Sequence, residues 1–126
     1  MFKFSGKRPR DLGVKDGKFT ARGTSKPNWV SSQVASSDAH FVAPLAKATI
    51  AAVAKAIKDL PRVKVVEQKA DYLYAEFSTA LMGYTDDVEF SADGKNGVQV
   101  RSSSRLGYSD MGMNRKRIEG IRAALG

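Results

Sequence analysis

Hydrophobic and polar residues follow three different rhythms along this chain, and each rhythm predicts a different kind of structure. Residues 1–38 keep no sustained period and are broken by Gly6, Pro9, Gly13, Gly17, Gly23 and Pro27, which predicts an irregular N-terminal arm. Phe19, Trp29, Val30 and Val34 are too apolar for a free tail, so the second half of the arm is expected to lie against the folded body, with Trp29 as its anchor. From Pro44, the residues Leu45, Thr49, Val53, Ile57 and Leu60 recur at helical spacing. They predict one amphipathic helix that opens at Pro44, where a missing N–H costs nothing, and stops before Pro61.

The period then shortens to two. Val63 and Val65, then Leu73, Ala75 and Phe77, then Val88 and Phe90, then Val98 and Val100 alternate with polar or tyrosine neighbours, predicting four strands. Lys69-Ala70-Asp71 and Asp93-Gly94-Lys95-Asn96 carry turn chemistry for tight hairpins, while the link through Leu81, Met82 and Gly83 is poorly marked. A last helix is expected to start with Asn114 as N-cap, Met113 and Ile118 forming a staple across its first turn, and Ile121 and Leu125 continuing the stripe. The expectation is an α+β two-layer sandwich over 39–126: helix, four-stranded antiparallel meander, helix, with an irregular basic arm over 1–38.

Strand parity also sorts the charges. Asp87 and Glu89 share a sheet face with Gln99, Arg101, Ser103 and Arg105, joined by Tyr72, Tyr74 and Glu76. Helices on one side only leave this face to water, to the arm or to a partner. Asp86 has the opposite parity, at the edge of the core, and needs a cation; the run Arg115-Lys116-Arg117 is the expected source. Three cations in the first turn of a helix oppose its dipole, so a negative group should compensate, either internally or as an anionic ligand near Ser102-Ser103-Ser104.

Composition narrows the chemistry. The net charge of +8 is concentrated at the ends, +6 over residues 1–26 and +4 over 101–126, against −2 between them. A basic arm holding Lys3, Lys7, Arg8 and Arg10 could contact nucleic acid, although no periodic basic face supports it. Absence of cysteine and a single His40 exclude thiolate nucleophiles, iron–sulfur clusters and any site needing two imidazoles. Gly107 and Gly112 bracket Tyr108-Ser109-Asp110-Met111 without the signature of a nucleotide loop, and no cofactor or metal site is expected. No apolar run reaches the length of a membrane span, and with Met1 as the start the chain is expected to be cytoplasmic.

Several longer motifs follow from the same residues: Asp11-Leu12-Gly13-Val14, Pro27-Asn28-x-Val30-Ser31-Ser32-Gln33, His40-Phe41-x-Ala43-Pro44-Leu45, Asp71-Tyr72-Leu73-x-Ala75-Glu76 and Asp86-Asp87-Val88-Glu89-Phe90. The longest is Val100-Arg101-Ser102-x-Ser104-Arg105-x-Gly107-Tyr108-Ser109-Asp110-x-Gly112-x-Asn114-Arg115-x-Arg117. Together they resemble domain-of-unknown-function family 1499 of bacteria and plastids, over a stretch from Asp11 to about Leu125. The resemblance implies no reaction, cofactor or catalytic residue. Members usually carry a cysteine after the Pro-Asn pair, where this chain has Trp29.

The functional expectation is a small module, leaning non-enzymatic, that binds an anionic small molecule or an acidic protein surface. Its site residues would be Arg101, Arg105, Arg115, Arg117, Ser103, Asp86, Asp87, Ser109, Asp110 and Asn114. The alternatives are a structural or assembly protein with an internal charge network, working through Trp29 or the Leu81-Met82 link, and a hydrolase using Ser109 or Asp110.

Overall fold

The four alternating stretches pair as antiparallel neighbours in a computed structural model that describes residues 6–20, 25–80, 83–94 and 97–126. They are β4 (Val63–Gln68), β5 (Tyr72–Ser78), β6 (Thr85–Asp93) and β7 (Gly97–Ser104). Ahead of them lie β1 (Val14–Lys15), β2 (Lys18–Phe19), β3 (Trp29–Ser31) and helix α1 (Ile50–Ile57); helix α2 (Met113–Leu125) closes the chain. The architecture is α+β, but the sheet has five strands in the order β3-β7-β6-β5-β4, where the sequence predicts four. The extra strand is Trp29-Val30-Ser31, too short to show a period, which pairs antiparallel with β7 through Trp29↔Ser103, Val30↔Ser102 and Ser31↔Arg101. β1 and β2 form a separate two-stranded hairpin, turned by Asp16-Gly17 with both residues at positive φ, as a tight hairpin requires.

One face of the sheet carries the apolar core. Leu73, Ala75, Val88, Phe90, Val98 and Val100 are fully buried, and Val53 and Ile57 of α1 with Ile118 and Ile121 of α2 pack on them. Each large apolar side chain so buried stabilises the fold by about 1.5–3 kcal/mol.

Both helices begin differently from their sequence patterns. α1 starts at Ile50, not at Pro44, because Leu45 is held in an extended bridge, exchanging main-chain hydrogen bonds of 2.8 and 3.0 Å with Val98. Thr49 is therefore the N-cap, its hydroxyl accepting from the Ala52 amide at 3.1 Å. α2 is preceded by Gly112 in the left-handed region, and Asn114 does not cap it. Asp110 does that work instead, its carboxylate accepting from the amides of Gly112 (2.8 Å) and Asn114 (3.0 Å). A carboxylate at this end also offsets the cations of the first turn. Among the described residues no helix is long and apolar enough to cross a membrane. Leu81, Met82, Lys95, Asn96 and Lys3, which figure in the expectations above, lie outside the described residues.

Candidate functional site

Cross-strand register places the charges in two layers on opposite faces of one sheet. On the face away from the helices, Glu89 stands opposite both Tyr74 and Arg101, and Asp87 opposite Glu76 and Ser103. This face is not left to water. Residues 6–20 cross it as a strap, and beneath them Glu89 is 0% and Arg101 2% exposed.

Arg101 donates from Nε (2.8 Å) and Nη2 (2.5 Å) to Glu89 Oε1, and from its remaining N–H groups to the carbonyls of Thr20 and Asp11. Its guanidinium lies 5.1 Å from the centre of the Phe19 ring. The other Glu89 oxygen accepts from the Tyr72 hydroxyl at 2.7 Å and from the Gly13 amide at 2.6 Å.

Just past the end of β7, Arg105 grips both oxygens of Asp87 at 2.9 Å and reaches Glu76 Oε2 at 2.5 Å. Glu76 also takes two hydrogen bonds from Arg8, at 2.9 and 2.8 Å, and Tyr74 donates to Asp87 and to Glu76. Three guanidinium groups thus meet three carboxylates, so the layer is balanced in charge, which a buried network requires.

Protonation follows the geometry. Burial, reinforced by Glu89 for Tyr72 and by Asp87 for Tyr74, pushes both phenols well above their usual range. The hydrogen bond to Asp87 holds Arg105 more firmly protonated than an ordinary guanidinium. At Glu76 burial acts upward, but hydrogen bonds from Arg8 and Arg105 outweigh it and hold the carboxyl below 4.5. A depressed carboxyl contributes stability that is complete above its ordinary value and lost as pH falls through the folded one. We therefore expect Glu76→Gln to flatten the decline of stability below pH 4.5, read as urea midpoints over an acid series. An unchanged slope would remove Glu76 from the acid response.

The second layer lies on the helix face. Asp86 pairs with Arg117 at 2.8 Å, the partner its parity called for. Burial nevertheless raises the Asp86 carboxyl, Arg117 offsetting only part of the effect. Asn114, fully buried, accepts from the Ser102 hydroxyl at 2.6 Å and from Arg117 at 2.9 Å. Its amide group donates to the Asn28 carbonyl (3.1 Å), Ser104 Oγ (2.9 Å) and Asp110 (2.6 Å). This residue ties β3, β7 and α2 together.

The ten expected site residues therefore do not form one locality. Arg101, Arg105, Asp87 and Ser103 lie on the strap side; Asp86, Arg117, Asn114 and Asp110 lie on the helix side, where adjacent strand residues must point. Arg115 joins neither group, donating instead to the carbonyls of Phe41 (2.5 Å) and Ala39 (2.8 Å). Ser103 Oγ is buried and, among the described residues, has no hydrogen-bond partner. Ser109 is exposed, its hydroxyl accepting from the Met111 amide at 3.1 Å. It lines a cleft of about 490 Å³ with Asp86, Asp110 and Ser104, and a smaller one of about 270 Å³ with His40. His40 stacks on Trp29 at 3.9 Å, with Nδ1 on Asp38 (2.8 Å) and Nε2 on the Lys26 carbonyl (2.9 Å). Both ring nitrogens are engaged within the chain.

Sequence reasoning missed the strap's share of the network: Arg8, Gly13 and the carbonyls of Asp11 and Thr20. Main-chain donors and acceptors leave no residue signal, and only Arg8 carried one, as an arginine in a basic arm. Among the described residues no group of three or more His, Cys, Asp or Glu side chains could hold a metal ion.

Fold and site together define a small α+β protein in which Arg101, Arg105 and Arg117 pair with carboxylates of the same chain. The model of the family described as protein of unknown function (DUF1499) matches residues 21–125, and the chain belongs to that family. The match excludes the strap, and with it the Asp11-Leu12-Gly13-Val14 motif. No curated protein and no solved structure matches.

Proposed function

We propose that this chain is a non-enzymatic interaction module that engages an acidic, apolar-faced segment of a protein partner beside α2, while Arg101 and Arg105 brace the fold from within. One observation carries the reading. A groove of about 420 Å³ runs along α2 from Met113 to Ala124, walled on its other side by Ala56, Leu60 and Phe77, and the charged residues lining it are Lys116 and Arg117, with no carboxylate. Leu60 is 43% and Met113 47% exposed at its rim. An apolar floor with Lys116 at its edge fits an amphipathic acidic segment. A small anion is supported less, because Asp86 already holds Arg117.

A photo-crosslinking residue in place of Met113 or Leu60, in cells that make the chain natively, tests this. The expected result is a discrete adduct whose crosslinked segment is acidic and apolar on one face, with its yield cut by Lys116→Glu. Self-adducts alone, or none, would instead favour a structural or assembly role, the second reading, which the internal pairing of Arg101, Arg105, Arg115 and Arg117 supports. A hydrolase at Ser109 has the least support, since Asp110 is engaged in capping α2 and His40 has no free nitrogen.

A further inference from the structure

Exposed apolar side chains on this molecule are gathered, not scattered. Seven large ones are exposed among the described residues, and five of these line two clefts that share a wall. Leu60 and Met113 line the groove along α2; Tyr84, Leu106, Met111 and Met113 line the cleft of about 490 Å³ at the start of that helix. Met113 belongs to both, so the two form one continuous surface. Apolar residues collected in this way mark a docking site, which single exposed ones do not. Met111 shows that the arrangement is held against a cost. Its φ is +54°, a strained conformation for a residue with a Cβ, and its side chain is 89% exposed, so burial returns nothing.

The charges along this surface are zoned. The groove carries Lys116 and Arg117 and no carboxylate, whereas the cleft carries Asp86 and Asp110 and, among its described lining residues, no lysine or arginine. Arg117 and Asp86 satisfy each other across the boundary at 2.8 Å. What remains is Lys116 at one end and Asp110 at the other. Asp110 accepts from the main-chain amides of Gly112 and Asn114 and from the Asn114 side chain, donors that carry no net charge. An acidic cleft on a chain of net charge +8 is complementary to a lysine or arginine of an incoming segment, and repels a segment that is acidic throughout.

Direction follows from helix electrostatics. From Met113 to Ala124 the groove is about 16 Å long, enough for about three turns of a helix laid in it. A helix is most stable with acids in its first turn and cations in its last. That order matches the surface when the first turn lies on the Lys116 side and the last at Asp110, which sets the incoming helix antiparallel to α2.

We infer that groove and cleft form one two-ended docking surface for an amphipathic helix of a partner protein, acidic in its first turns and seating a lysine or arginine of its last turn at Asp110. This rests on the reading of the α2 groove given above and adds the partner's basic end and its direction.

The test sorts a displayed library of helical peptides on the full chain, each peptide with a leucine stripe on one face and glutamate, lysine or alanine at the flanking positions. Enriched sequences should carry glutamate in their first turns and lysine in their last. Exchanging the two charge blocks of one such peptide, at the same composition, should weaken binding at least about tenfold, which general attraction to a basic protein would not do. Asp110→Asn, which keeps an oxygen for the α2 amides, should weaken binding of the original about threefold or more. Replacing the peptide's lysines by glutamine should do the same on the unaltered chain, and this comparison decides if Asp110→Asn disturbs α2. Enrichment without charge order, in the reverse order, or of nothing at all overturns the inference. So does a dimer of the unaltered chain that Met113→Glu dissociates, which would make the surface an interface between two copies. Loss on Lys116→Glu with none on removing the peptide's lysines ends the two-ended surface and leaves the acidic partner of the groove standing; indifference to both Lys116→Glu and Met113→Glu ends both.

Discussion

Arg101→Ala lowers the unfolding free energy by about 3 kcal/mol, because it leaves the Glu89 carboxylate without its cation in a site closed to water. Tyr72 and the Gly13 amide remain as donors to Glu89, but neither supplies charge. Arg101 also holds two strap carbonyls, so the loss of stability should come with loss of protection at Gly13. Replacing both partners, Arg101→Met with Glu89→Leu, should recover more than half of the deficit, since two apolar groups of similar volume need no pairing. Urea unfolding measures all three proteins. A loss below about 1 kcal/mol in the single variant would put the pair among surface salt bridges and contradict its burial.

Gly97→Ala is expected to cost about 3 kcal/mol or more, through a clash that cannot relax. Gly97 has φ +90°, and a Cβ there would stand 2.2 Å from the Leu45 carbonyl oxygen and 2.7 Å from the Lys47 nitrogen. Both are main-chain atoms, so no side-chain rotation relieves them. The bridge between Leu45 and Val98 would open, and with it the approach to α1. Gly120→Ala is the control: a Cβ there meets nothing within 4 Å, and inside α2 the change should stabilise by about 0.5–1 kcal/mol. Thermal unfolding with the two variants moving in the same direction would show that contact at Gly97 is not what limits the fold.

The contrast between these two glycines shows what the sequence carried. The meander was legible because Leu73, Val88 and Val100 alternate with polar residues over whole strands, and burial of one face imposes that alternation. The charged faces followed from the same parity, so Asp86 could be matched to the helix cations and Asp87 and Glu89 to β7. What was not legible rests on main-chain geometry. Trp29–Ser31 is too short to show a period, the helical spacing of Leu45 conceals an extended bridge, and Asn114 looks like a cap because asparagine caps many helices, while here Gly112 holds the N-cap position, Asp110 accepts the amides from two residues before it, and Asn114 is free for the interior. The expectation of one charged locality failed for a related reason: residues close in sequence, such as Asp86 and Asp87, face opposite sides of the sheet.

The sheet ends in two strands that discourage further pairing. β3 is three residues long, and its last residue, Ser31, is also bridged to Phe41; β4 breaks register between Val65 and Glu67 and presents Lys64, with Lys69 just past its end, to solvent. A short outer strand on one side and a bulged, lysine-bearing one on the other offer no long, flat rim on which a neighbouring molecule could stack. The molecule should therefore stay out of fibrils when concentrated, and any association it makes has to come through side chains and not by extending the sheet.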